Sequence, residues 1–237
     1  MALRIAFDLD GTIADMESAL QREVEQLFGP NVQVRPAGGA HLDAPAHVDE
    51  VADEAAKPVS PAESKQVLSG RKLRQLWEHV AGIENFWTTL REIEPGSVAR
   101  IAALRDQYKL EVMFLTQRPD TEGEITQLQT QRWLEAHGFE LPSVFVLRGS
   151  RGIAASALQI DVVVDDRPEN CLEVATDSKA RPLLVWRDSI ELLPPGTKRL
   201  GIEPVSSLAE ALQRIEGLIS NAPKSTLVSR LRDAIGI

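Results

Sequence analysis

Asp8 and Asp10 stand one residue apart at the end of an apolar run, "LRIAFDLDGTIAD" (residues 3–15), followed at once by Gly11 and Thr12. Two more acids, Asp165 and Asp166, close the run "DVVVDD", and Thr116 closes "EVMFLT". Carboxylates brought within ~4–6 Å of one another resist ionisation unless a cation intervenes. A donor set of oxygens, with no His or Cys in these runs, suits a hard cation such as Mg2+ better than zinc. Mg2+ commonly shares its ligands with a substrate phosphate, so the pattern points to phosphoryl chemistry. There a carboxylate can attack phosphorus, and a neighbouring carboxyl can protonate the leaving alcohol and later take a proton from water. Backbone N–H groups of Leu9, Asp10 and Gly11 offer a cradle for the anion, and Gly11 lets the main chain approach closely.

The elements that must carry these residues alternate. Apolar runs of strand length at 3–8, 110–116, 143–147, 161–166 and 181–186 are separated by stretches with helical spacing. Examples are "MESALQREVEQLFG", stopped by Gly29-Pro30, "SGRKLRQLWEHVAGI", and "TEGEITQLQTQRWLEAHGF", closed by Gly138. Such alternation predicts an α/β fold, a Rossmann-like doubly wound parallel sheet with helices on both faces. Ligands then bind outside the carboxyl ends of the strands, which is where the acids fall. Residues 16–95 interrupt the rhythm and predict a mostly helical insertion, leaving 1–15 and 96–237 as the core domain. Within the insertion, 34–66 is rich in Ala and Pro with almost no large apolar side chain, which predicts a mobile surface excursion.

"FDLDGT" resembles the first motif of the haloacid dehalogenase-like (HAD) hydrolases, Asp-x-Asp-Gly-Thr after an apolar strand. Thr116 is similar to their second motif and Asp165-Asp166 to the acidic fourth. The insertion stands where that family carries a C1-type helical cap. "NFWTTLREIEPGSVARIAAL", "RWLEAHGF" and "VVVDDRPEN" further resemble the deoxyribonucleotide-type 5′-nucleotidase branch. The resemblance implies a Mg2+-dependent phosphomonoester hydrolase with Asp8 as nucleophile and metal ligand. Asp10 would be the general acid/base and offer its main-chain carbonyl to the metal. Thr116, with Gln117 beside it, would bind phosphoryl oxygens. Asp166 would ligate the metal directly, and Asp165 directly or through water. The family's third motif supplies a Lys, but "LRGSRGIAAS" has none, so Arg151 is the first candidate and Arg148 the second. Arg keeps the charge and grips phosphate in a planar fork, a different geometry from Lys.

Each residue also has a plainer structural explanation. Asp-Gly is common at strand-to-turn junctions, and Thr116 alone would pass for a helix cap. Arg118 is a candidate for contacting phosphate but reads better as a solvated loop residue. Phe86 and Trp87 are candidates for stacking on a nucleobase but fit cap core better, and Trp77 and Trp133, at helical spacing with other apolar residues, read as core. Two other functions stay open. One is a non-catalytic phosphate or nucleotide sensor, motivated by the absent Lys. The other, a receiver-type signalling domain, should be about half as long and lack the insertion.

Composition narrows the partners. The chain has 237 residues, 43% of them hydrophobic, a net charge of −9 and no basic block. That speaks against a nucleic-acid polymer or an anionic membrane and leaves a small phosphorylated metabolite, a nucleoside monophosphate among the candidates. No apolar run approaches the roughly 20 residues of a membrane span. Without a visible signal segment, and with a single cysteine, Cys171, the expected location is cytoplasmic. The tail "APKSTLVSRLRDAIGI" reads as a basic amphipathic helix able to pack on the core or on a second subunit, a homodimer in the latter case.

Overall fold

The computed structural model describes residues 2–34 and 66–221. The expectations for the 34–66 excursion, apart from its two end residues, and for the tail after 221 lie outside the described residues.

In β1 (Arg4–Asp8), Ile5, Ala6 and Phe7 are completely buried. A strand apolar on both faces belongs in the middle of a parallel sheet, where helices cover each side. The chain continues through α1 (Met16–Phe28), the short parallel strands β2 (Val32–Gln33) and β3 (Gln66–Val67), and α2 (Gly70–Ala81). Asp15 and Ser69 start these helices by accepting from the N–H groups of Ser18 and Lys72. After a single 3-10 turn at Phe86–Thr88 come α3 (Ser97–Tyr108), β4 (Glu111–Thr116), α4 (Thr126–Ala136) and β5 (Ser143–Val146). Then follow α5 (Arg151–Ala157), β6 (Val162–Asp165), α6 (Pro168–Asp177), β7 (Arg181–Val185), β8 (Glu203–Val205) and α7 (Leu208–Asn221).

Six strands form one parallel sheet in the order β5-β4-β1-β6-β7-β8. The chain builds outward from β1 through β4 to β5, then returns to the other side of β1 for β6, β7 and β8. The direction reverses between β1 and β6, the crevice where open α/β sheets bind ligands. Phe7 pairs with Phe114 of β4 and Val164 of β6, so Asp8 and Asp165 leave the sheet side by side.

The two faces have separate cores. Ile5, Phe7, Phe114 and Val164 join α3, α4 and α7 on one face, while Ala6, Leu115 and Val163 meet α5 and α6 on the other. The first core continues without a break into Leu20, Val24, Trp77 and Val80 of α1 and α2, so these inserted helices share the apolar cluster of the sheet. Helix α6 and edge strand β8 were not foreseen. The apolar pattern of α6 is short, and its start is marked only by Pro168 at the first turn.

Candidate active site

β1 and β6 end beside each other, and their terminal acids converge. One carboxylate oxygen from each of Asp8, Asp165 and Asp166 lies within 4.8 Å of the others. All three residues are buried, Asp8 to 4% exposure. Burial pushes the Asp8 carboxyl well above its usual range, Arg151 pulls it back, and the charges of Asp165, Asp166 and Asp10 push further upward. Asp166 is pushed up to about 7, first by burial and then by Asp165, against the hydrogen bond from Thr12.

Arg151 answers part of this charge. Its side chain, 3% exposed, reaches from the start of α5 so that Nη2 lies 2.7 Å from Asp8 Oδ1 and Nε 3.1 Å from Asp165 Oδ2. Nη1 donates to the Leu115 carbonyl at 3.0 Å. Burial opposes its charge, yet Asp165 and Asp8 raise its affinity for the proton above the ordinary guanidinium value. Gly152 next to it lets α5 sit tightly on α6, since a Cβ there would strike the Glu173 carbonyl. Arg148, the other third-motif candidate, is exposed and 3.5 Å from Asp120. Arg151 thus reaches Asp8 and Asp165, while Asp166 takes the Thr12 hydroxyl and feels the charge of Arg187. With oxygen donors only, such a trio could hold a hard divalent cation.

The loop after β1 is shaped around this cluster. Gly11 has φ +88°, and a Cβ on it would collide with the Asp166 carboxylate. Its N–H is already committed to the Ala14 carbonyl at 3.0 Å, so Gly11 contributes space to the site and not the anion-binding N–H expected of it. Leu9 is buried and its carbonyl accepts from the N–H groups of Ile13 and Ala14. Thr12 Oγ1 donates to Asp166 Oδ1 at 2.9 Å. Arg187 Nη1 and Nη2 donate to the Gly11 and Thr12 carbonyls at 2.5 and 3.0 Å, tying the loop to the end of β7.

Asp10 stands apart from the trio. Arg118 grips its carboxylate, Nη2 donating to Oδ1 at 2.7 Å and Nε to Oδ2 at 2.8 Å. Thr116 Oγ1 adds a 3.3 Å hydrogen bond to Oδ2. The expectation of a solvated Arg118 is therefore corrected: it is 3% exposed, with its guanidinium 4.9 Å from the Trp87 ring. An acid partner and an aromatic lid, both remote in sequence, draw it inward. Gln117 turns instead to the Gly149 carbonyl at 3.2 Å. Phe86 and Trp87 are buried, with Trp87 Nε1 donating to the Pro119 carbonyl at 2.9 Å. Neither ring offers a base a face to stack on, in keeping with the core reading.

Asn170, Thr12 and Arg187 were missed along with Arg118. Asn170 Nδ2 donates to both oxygens of Asp165, at 3.0 and 3.1 Å, and the Arg167 N–H adds a third contact at 2.9 Å. A Pro at a helix start two residues beyond paired acids was the available signal for Asn170. Nothing local marked Arg187. A cavity of about 300 Å³ opens beside Asp10, Gly11 and Asp166, with Met16, Leu20, Ile93 and Trp186 in its wall. That volume is at the lower end of small-molecule sites.

No protein-family model matches the chain, and no curated protein does. Solved structures do resemble it. A HAD family hydrolase from Deinococcus radiodurans R1, with bound phosphate and sodium, superposes at TM-score 0.52 and 16% identity over 92% of this chain and 97% of that one. A putative beta-phosphoglucomutase from Thermotoga maritima gives 0.50 at 17% identity, covering 91% of this chain and 99% of its own. A hydrolase from Pseudomonas syringae gives 0.50 at 14% identity with coverages of 91% and 99%. The parallel six-stranded sheet flanked by helices is thus the architecture of the HAD hydrolases.

Proposed function

We propose that the chain is a HAD-type phosphomonoester hydrolase that works with Mg2+ through a phosphoryl group carried on Asp8. The observation that carries this reading is the buried trio Asp8, Asp165 and Asp166 with Arg151 wedged against it. Such a grouping is costly to bury for structural reasons alone, because carboxylates crowded together out of water resist ionisation.

Asp8, Asp165 and Asp166, with the main-chain carbonyl of Asp10, are the residues to hold the cation. When bound, the cation neutralises charge on the carboxylates and the phosphoryl oxygens. Arg151 and Thr116 hold the phosphoryl group in line with Asp8. An Asp8 oxygen bonds to phosphorus as the ester P–O bond breaks, and the leaving oxygen takes a proton from Asp10. Water then attacks phosphorus and gives its proton to Asp10. The Asp8–phosphorus bond breaks, and free phosphate and the starting carboxylate are restored.

In this reading residues 1–15 and 96–237 form the core domain and 16–95 the C1-type cap, which lends Met16, Leu20 and Ile93 to the cavity wall. The substrate is a small phosphorylated metabolite, and the phosphate bound by the Deinococcus protein on the same fold agrees with that class. Deoxynucleoside monophosphates belong in a substrate screen, although buried Phe86 and Trp87 leave the base to other contacts. Hydrolysis of p-nitrophenyl phosphate with Mg2+, beside an Asp8→Asn control, tests the proposal. Wild-type turnover that the control lacks supports it; equal rates for the two proteins refute it.

A further inference from the structure

The carboxylate of Asp10 is met from several directions. Arg118 Nε lies 3.0 Å from Oδ1 and 2.8 Å from Oδ2, Nη2 2.7 Å from Oδ1, and Thr116 Oγ1 3.3 Å from Oδ2. Arg118 is itself fixed at every end. Its Nη1 donates to Thr130 Oγ1 at 3.1 Å, and its backbone N–H to Thr116 Oγ1 at 3.2 Å. The guanidinium sits 4.9 Å from the Trp87 ring and 6.0 Å from that of Trp133. Those indoles are anchored in turn, donating to the Pro119 and Leu90 carbonyls at 2.9 and 2.8 Å. A guanidinium enclosed in this way cannot swing toward an incoming phosphate without giving up its partners.

We propose that Arg118 is a positioning residue for Asp10. It fixes the direction in which the Asp10 carboxyl faces the leaving group and takes no part in gripping phosphate. The kinetic consequence rests on the phosphatase reading above, whereas the geometric claim stands without it. Arg151 then serves Asp8 and Arg118 serves Asp10, both arginines being buried. An alkyl leaving oxygen needs the proton from Asp10 as its bond to phosphorus breaks, whereas p-nitrophenolate leaves as a stable anion. Misdirecting the carboxyl therefore penalises alkyl esters selectively, since general acid catalysis contributes ~10²–10⁴-fold.

The test uses the full chain with Arg118→Met, Arg118→Lys and Thr130→Val, assayed with Mg2+ on p-nitrophenyl phosphate and on an alkyl phosphate that the wild type turns over. For Arg118→Met the expected result is a kcat loss on the alkyl ester of roughly 10²-fold or more, against less than about tenfold on the aryl ester. The inhibition constant of inorganic phosphate stays the same, and Arg118→Lys recovers part of the loss. Thr130→Val, which frees only the far end of the guanidinium, gives a smaller loss in the same sense and covers the case in which Arg118→Met fails to fold. Equal losses on both esters, or phosphate binding that weakens in step with kcat, overturn the proposal. A crystal structure of Arg118→Met or Thr130→Val needs no turnover. Asp10 should leave Thr116 while Asp8, Arg151 and Asp165 stay, and an unmoved Asp10 overturns the proposal. A wild type that hydrolyses neither ester brings down the phosphatase reading alone, and the crystal structure still decides the positioning.

Discussion

Arg151 Nη2 approaches Asp8 Oδ1 to 2.7 Å in the buried crevice between β1 and β6. A planar, permanently charged group thus stands against Asp8, and it touches Asp165 as well.

Removing that charge takes the ion-pair partner from buried Asp8 and Asp165. Arg151→Ala is expected to destabilise the metal-free protein by about 3–5 kcal/mol, the usual cost of breaking a buried ion pair. Arg151→Lys, which retains the charge but not the fork, should lose clearly less. Urea unfolding in the presence of a chelator measures both.

The same cluster gives stability a definite pH dependence. Asp166 is raised from its ordinary 3.8 to about 7, chiefly by burial and the charge of Asp165. Between those values the folded chain keeps a proton that the unfolded chain has released. Metal-free stability therefore falls as pH rises through this window, by at most ~1.4 kcal/mol per pH unit for one group. Asp8, raised in the same direction, adds to the slope. A bound cation offsets the repulsion, so Mg2+ should flatten or reverse it. Thermal melts across pH with chelator or Mg2+ test the sign; metal-free stability that rises through the window contradicts it.

Gly11 occupies a left-handed conformation, φ +88°, against the Asp166 carboxylate. Gly11→Ala should cost roughly 1–2 kcal/mol in backbone strain alone. At about 2–4 °C per kcal/mol, Tm falls by several degrees, and displacement of Asp166 weakens Mg2+ binding in addition. Calorimetric Mg2+ titration beside the melt separates the two effects.

Asn170 orients Asp165 through two hydrogen bonds. Residues of this kind behind a cation site typically contribute 10–100-fold in metal affinity. Asn170→Ala should therefore weaken Mg2+ binding by about that factor while leaving the far-ultraviolet circular dichroism unchanged. An unchanged Mg2+ affinity would count against Asp165 as part of the cation site.

How much of this was legible in the chain follows from how far apart the determinants lie. The strands announced themselves because a buried parallel strand must be apolar on both faces, and their closing acids stood out against that background. Asp8, Asp165 and Asp166 are brought together as the strand endings suggest. Of the two arginine candidates for the third motif, the helix-start residue Arg151 is buried and Arg148 stays outside. Arg118 was misread because its environment is tertiary: Asp10, Trp87 and Thr130 come from three separate segments. Its own neighbours, Gln117 and Pro119, look like any surface loop. Asn170 was hidden for a related reason, since helix α6 buries only Asn170, Cys171 and Val174 and so shows little periodicity.

The phosphoryl intermediate on Asp8 is the claim to test most directly. Wild-type protein and the Asp8→Asn variant are mixed with a radiolabelled phosphate ester that the wild type turns over, with and without Mg2+. Each reaction is quenched in acid within the first turnover and digested. The account predicts label on the peptide that contains Asp8, present only with Mg2+ and absent from the variant. Turnover without label on that peptide, or label that persists in Asp8→Asn, would contradict it.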